Sequence, residues 1–110
     1  MIQPERIGLS TGPMKFGALA WGDPDARIAL LVHGYPDTAW TWRYLGPYLA
    51  GRGWRAVAPF TRGYGPSDLA PDDRYAVSDQ AGDILDLHEA LGADESAALV
   101  GHDWGAVAAW

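Results

Sequence analysis

Apolar and polar positions along this chain change their spacing several times, and each change marks an element. Ile7-Gly8-Leu9 and the run Met14 to Trp21 flank Thr11-Gly12-Pro13 and read as two strands of a hairpin. Gly22-Asp23-Pro24-Asp25 is a second turn. Arg27-Ile28-Ala29-Leu30-Leu31-Val32 is a continuous apolar run bounded by turn signals, the pattern of a strand covered on both faces. Asp37 or Thr38 can cap a helix running to about Ala50, with Trp42, Leu45, Tyr48 and Leu49 at helical spacing and Gly51 and Gly53 at its end. Trp54 to Ala58 is the next strand, and Phe60 to Arg74 is a long loop rich in Gly, Pro and Asp. Ser78 can cap a second helix, with Ala81, Ile84, Leu85, His88 and Leu91 on one face and Asp79, Asp83, Asp86 and Glu89 elsewhere. Gly92 closes it, Ala97 to Val100 is a last strand, and small residues after Gly105 suit a further helix.

The order strand, strand, strand, helix, strand, helix, strand predicts an α/β fold: a mostly parallel sheet with an N-terminal antiparallel hairpin. Loops at the C-terminal ends of parallel strands gather on one edge, where such sheets bind ligands. Two stretches fall there, His33-Gly34-Tyr35-Pro36 and Gly101-His102-Asp103-Trp104-Gly105.

At 110 residues the chain is one domain or a piece of one. Its net charge of -6 gives a nucleic-acid role no electrostatic support, and ten of the 14 acidic residues fall between Asp68 and Asp103, as on a solvated helix face and loop. Without cysteine, disulfides and thiolate metal sites are excluded. The first residues lack a basic-then-apolar signal pattern, and the longest strongly apolar run, Ile28 to Val32, is too short to span a bilayer. These features lead us to expect a soluble cytoplasmic protein that binds neither nucleic acid nor membrane.

The stretch around Asp103 suggests chemistry. A tight turn between a buried strand and a helix brings the positions two before and two after its centre against backbone, and Gly101 and Gly105 occupy them. Asp103 would sit at a helix N-terminus, whose partial positive charge favours the ionised carboxylate that a nucleophile needs. A carboxylate can attack a saturated carbon and leave an ester that water cleaves. The residue could also be a simple helix cap in a glycine-rich turn. An oxyanion needs two convergent backbone N–H groups; Trp104 and Tyr35 are placed to supply them. Gly34 lets the loop bend, Pro36 stiffens it, and His33 is expected to brace it from a buried position. His102 is expected to face the sheet side of the turn in a structural role. A metal bound by His33, His102 and Asp103 lacks the usual ligand spacing.

Together, His33-Gly34-Tyr35-Pro36, Trp42-Arg43-Tyr44, Arg62-Gly63-Tyr64-Gly65-Pro66-Ser67 and Gly101-His102-Asp103-Trp104-Gly105 resemble the α/β-hydrolase-fold epoxide hydrolases and their relatives, the haloalkane dehalogenases. The resemblance implies that Asp103 opens a small hydrophobic epoxide, or displaces a halide, through a covalent ester that a histidine-activated water then hydrolyses. Backbone N–H groups of Tyr35 and Trp104 would hold the oxyanion, and no cofactor or metal is implied. Many dehalogenases have an Asn at the position of Tyr35, so the Tyr tilts the reading towards epoxides.

The family usually has an acidic residue about where Phe60 stands, which leaves Arg62 without that partner and in a structural role. The hydrolytic histidine, its acid and the cap tyrosines of the family lie beyond the nucleophile, whereas this sequence stops at Trp110. His88, on an apolar helix face, reads as a core or boundary residue. The 110-residue chain alone is thus expected to be the N-terminal part of such a domain, inactive in turnover and prone to self-association through a bare sheet edge. The alternative from another class is a truncated α/β module without catalysis that needs a partner chain.

Overall fold

The computed structural model describes residues 3–12, 14–34, 38–65, 67, 77–102 and 105–106. Five strands form one sheet: β1 (Glu5–Ser10), β2 (Lys15–Trp21), β3 (Arg27–Val32), β4 (Trp54–Pro59) and β5 (Ala98–Gly101). Their order across the sheet is β1-β2-β4-β3-β5. The hairpin strand β2 pairs antiparallel with β1 and with β4, while β3 pairs parallel with β4 and β5. This is the mixed sheet expected from the sequence. The run 27–32 is a strand over the expected residues, buried on both faces after Arg27.

The two sides of the sheet carry separate cores. Phe16, Ala18, Ala20, Ile28, Leu30, Val32 and Val57 face the helix α2 (Val77–Ala90). Leu19, Trp21, Ala29, Leu31, Ala56 and Ala58 face the other way, towards Trp42 and Leu45. Alternation along each strand sends successive side chains to opposite cores.

The helix expected from Thr38 to Ala50 is divided. Thr38 does cap, its hydroxyl accepting from the Trp40 amide at 3.3 Å, but it caps a single 3-10 turn over Ala39–Trp42. The α-helix α1 begins only at Leu45 and ends at Ala50. Pro47 explains the division: inside a continuous helix its ring would strike the carbonyl of Arg43 and remove an N–H donor, whereas in a first turn neither matters.

Helix α2 differs from expectation in register. Ser78 lies inside its first turn, since Val77 is already helical. The buried face is Asp83, Ile84 and Leu87, with Leu91 packed against the same core, whereas Leu85 is 72% exposed. The stripe is turned by about one residue from the one that apolar side chains alone suggest, and Asp83 belongs to it. Its C-terminus is a Schellman cap: Gly92, at φ +65°, donates to the Glu89 carbonyl and Ala93 donates to that of His88. No helix among the described residues is long and apolar enough to cross a membrane.

Candidate functional site

Three parallel strands end side by side, and the residues just beyond them build the candidate site. At the end of β5 the chain turns at once. The His102 amide donates to the Val32 carbonyl at 3.1 Å, which ties the turn to the end of β3. The Gly105 amide donates back to the His102 carbonyl at 2.9 Å, and Gly105-Ala106 is helical. A strand therefore becomes a helix within four residues.

This turn leaves no space at its two glycines. A Cβ on Gly101 would lie 2.6 Å from the Gly105 carbonyl oxygen and 2.7 Å from the Ala106 Cα. A Cβ on Gly105 would lie 2.3 Å from the Val32 carbonyl oxygen and 2.6 Å from that of His33. All these are backbone atoms, which cannot rotate away. The close approach expected two residues either side of position 103 is thus present, and it presses the turn onto the β3 end. Asp103 and Trp104 themselves lie outside the described residues, as do Tyr35 and Pro36.

His33 and Gly34, directly after β3, are both buried. The His33 ring is 1% exposed and engaged at both nitrogens. The Thr61 amide donates to Nε2 at 3.0 Å, and the Thr61 hydroxyl is 3.3 Å from the same atom. Because an amide N–H can only donate, Nε2 must accept, so the proton sits on Nδ1. Nδ1 then donates to the Gly34 carbonyl at 3.0 Å. Tyr64 packs edge-on against the ring, with centroids 5.0 Å apart and planes at 82°. His33 is a bracing residue, with neither nitrogen free for proton transfer. His102 departs from expectation: it is exposed, and its backbone, not its ring, holds the turn.

The loop after β4 is stitched from three sides. Ser67 Oγ donates to the Phe60 carbonyl at 2.5 Å and accepts from the Gly17 amide at 3.0 Å. Phe60 packs into the Trp21–Trp42 core, at the position where the family usually carries an acid. Arg62, expected to be structural and to lack the acid near position 60, is paired instead with helix α2. Its Nε lies 2.6 Å from Asp83 Oδ2 and its Nη2 lies 2.8 Å from Oδ1, a two-pronged bond with side chains only 10% and 11% exposed. Sequence reasoning misses Asp83 because an acid every three or four residues along a helix looks like a solvated face. No local signal marks it, since the loop from Phe60 to Arg74 holds two arginines and three nearer acids, Asp68, Asp72 and Asp73. His88 is half-buried on α2 and lines a surface groove with Leu30, Ile84, Leu85 and residues 97–99, in keeping with a boundary residue.

Comparison with known proteins agrees with this architecture. A profile of the alpha/beta hydrolase fold family matches residues 30–110. Epoxide hydrolase B of Mycobacterium tuberculosis is 39% identical over 113 aligned positions, spanning 100% of this chain and 31% of that protein. Among solved structures, epoxide hydrolase A from Mycobacterium thermoresistibile superposes with a TM-score of 0.88 at 31% identity, over 97% of this chain and 34% of that one. A thioesterase domain from the curacin biosynthetic pathway also superposes, at 0.85 and 26% identity, over 98% of this chain and 40% of its own, so one scaffold here serves different chemistries. The chain spans about a third of the length of the epoxide hydrolases it matches. By fold, by strand order and by the match over residues 30–110, this chain belongs to the alpha/beta hydrolase fold family.

Proposed function

We propose that this chain carries the nucleophile and the oxyanion-stabilising backbone of an epoxide hydrolase. The observation that supports this most is the strand–turn–helix whose two glycines are pressed against the end of β3. On this reading the residue midway between the glycines, Asp103, is expected at the top of the sheet and at a helix start.

In this reading, a carboxylate oxygen of Asp103 attacks an epoxide carbon. The carbon–oxygen bond of the ring breaks, and its oxygen takes a proton from solvent water and becomes a hydroxyl. The product is an ester between Asp103 and the alkyl group. Water then attacks the ester carbonyl, and the tetrahedral oxyanion receives the N–H groups of Tyr35 and Trp104. Collapse releases the diol and restores Asp103. Serine in the same place would leave an ether that water does not cleave, which is why the residue type matters. His33 is occupied as a brace and His88 sits on α2, so neither activates that water. On this reading the 110-residue chain is expected to form the ester faster than it hydrolyses it.

Intact-protein mass spectrometry after exposure to a styrene-type epoxide tests this. The expected result is one covalent adduct, mapped to Asp103 and absent in Asp103→Asn, with no adduct from a chloroalkane. An adduct that persists in Asp103→Asn, or multiple turnovers by the chain alone, would overturn the reading.

A further inference from the structure

Among the described residues, the buried polar side chains at the site end of the sheet are His33, Ser67 and Asp83. The proposed reaction assigns no chemical step to any of them. Two of them, with Arg62 and Thr61, form one connected path.

The path starts on helix α2, held on the sheet by Ile84 and Leu87. Asp83, beside Ile84, grips both prongs of the Arg62 guanidinium. A planar fork held at two points leaves the loop little freedom at residue 62. One residue back, the Thr61 amide, in the peptide shared with Phe60, donates to His33 Nε2. That bond makes Nε2 the acceptor and Nδ1 the donor, and Nδ1 holds the Gly34 carbonyl. Thr61 and Asp83 also wall the same small cavity, about 10 Å³, with Val32 and Pro59 from the two strand ends.

The path ends on a peptide unit shared by the carbonyl of Gly34 and the N–H of Tyr35. That unit is planar, so fixing the direction of the carbonyl fixes the direction of the N–H. We propose that Asp83, Arg62 and His33 are positioning residues that aim the Tyr35 amide at the oxyanion: the ion pair seats Thr61 on His33, and His33 in its Nδ1-protonated form pins the Gly34–Tyr35 peptide. The inference rests on the reading of Tyr35 as an oxyanion donor. It makes a buried ion pair on a helix part of the catalytic geometry although it touches no reacting atom.

A mere structural role would alter stability alone, so the test follows two separate quantities. The first is the decay rate of the Asp103 ester at alkaline pH, after a pulse of styrene-type epoxide, against its rate of formation. The second is the nitrogen chemical shifts of the His33 imidazole, which report which nitrogen bears the proton. Asp83→Asn removes the charge, and Arg62→Lys keeps a charge but loses the fork. Asp86→Asn, exposed on the same helix, is the control. One missing oxyanion donor costs about 100- to 1000-fold, so a misaimed one is expected to slow ester decay about tenfold. Formation should stay within about twofold, and His33 should lose its single tautomer. Ester decay unchanged in both variants overturns the proposal. If the unmodified protein forms no ester, the functional reading fails instead, and the imidazole signals alone then decide: a tautomer unchanged in both variants overturns the positioning path.

Discussion

The two ends of the parallel strands are built on different principles. At the N-terminal end, each charged contact has a partner in solvent. The Arg55 side chain is only 8% exposed and donates to the Gly22 carbonyl at 2.9 Å, but its acid, Glu5, at 3.3 Å, is 60% exposed, and the exposed Arg27 stacks on the Trp54 ring at 3.7 Å. At the C-terminal end, charge and polarity are buried: Arg62 with Asp83, His33 with Thr61, and Ser67 with Phe60 and Gly17. Buried polar groups are costly unless fully partnered, so a fold concentrates them where a defined geometry is needed. One end is held by apolar contact with a charged rim, the other by a connected polar lattice, and the candidate site lies at the lattice end.

Six substitutions would sharpen or break this contrast. The largest effect is expected for Arg62→Ala, which strands the Asp83 carboxylate in a nearly closed site and should cost about 3–5 kcal/mol. Its counterpart at the other end, Glu5→Gln, should cost less than about 1 kcal/mol, because an exposed partner is easily replaced by water. Denaturant unfolding of both variants measures the difference, and equal losses would erase the distinction between the ends. Next comes Gly105→Ala, whose new methyl meets the Val32 carbonyl at 2.3 Å. A loss of about 3 kcal/mol is expected, against a change within about 1 kcal/mol for Gly8→Ala in β1, where nothing lies within 4 Å. For a chain of this size each kcal/mol shifts the midpoint by about 4–8 °C, so thermal melts resolve it.

His33→Phe keeps the ring volume but leaves the Thr61 amide without its acceptor. It should cost about 2 kcal/mol, read from the same melts. The smallest effect is a pH effect, at the N-terminal end. Hydrogen bonds from the Ser96 hydroxyl, at 2.6 Å, and the Ser96 amide, at 2.9 Å, hold the exposed Asp94 carboxyl below its ordinary value. A lowered carboxyl contributes stability above its unfolded value and loses it as pH falls through the folded one. Ser96→Ala should raise the Asp94 titration midpoint towards the ordinary carboxylate value, measurable by NMR, with little change in neutral-pH stability.

Much of the sheet is legible in the sequence because β3 and most of β2 and β4 are apolar runs between turn residues. Residues 27–32 are the plainest instance. The glycines at 101 and 105 are legible too, since a tight strand-to-helix turn brings those two positions against backbone. Spacing cannot give partnership across the fold. Asp83 and Arg62 are 21 residues apart, and neither looks unusual in its own segment. The register of α2 escapes for the same reason: Leu85 and Leu87 are equally apolar, and only the sheet decides which is covered. Pro47 is a local signal, and a continuous helix through it ignores a rule readable in the chain. Asp103, Trp104 and Tyr35 lie outside the described residues, so their roles stand on the frame around them.

The position of β5 has a consequence for exchange with solvent. It is the edge strand of this sheet, paired only with β3 among the described residues, and Leu99 on it is 43% exposed. Since the His102 amide points to β3, the period of two along a strand turns those of Val100 and Ala98 the same way and that of Leu99 outward. Deuterium should therefore enter this strand in alternation, fast at Leu99 and Gly101 and slow at Ala98 and Val100. Any strand laid against that edge, from a longer chain or from a second copy, would announce itself first as protection of those outward amides.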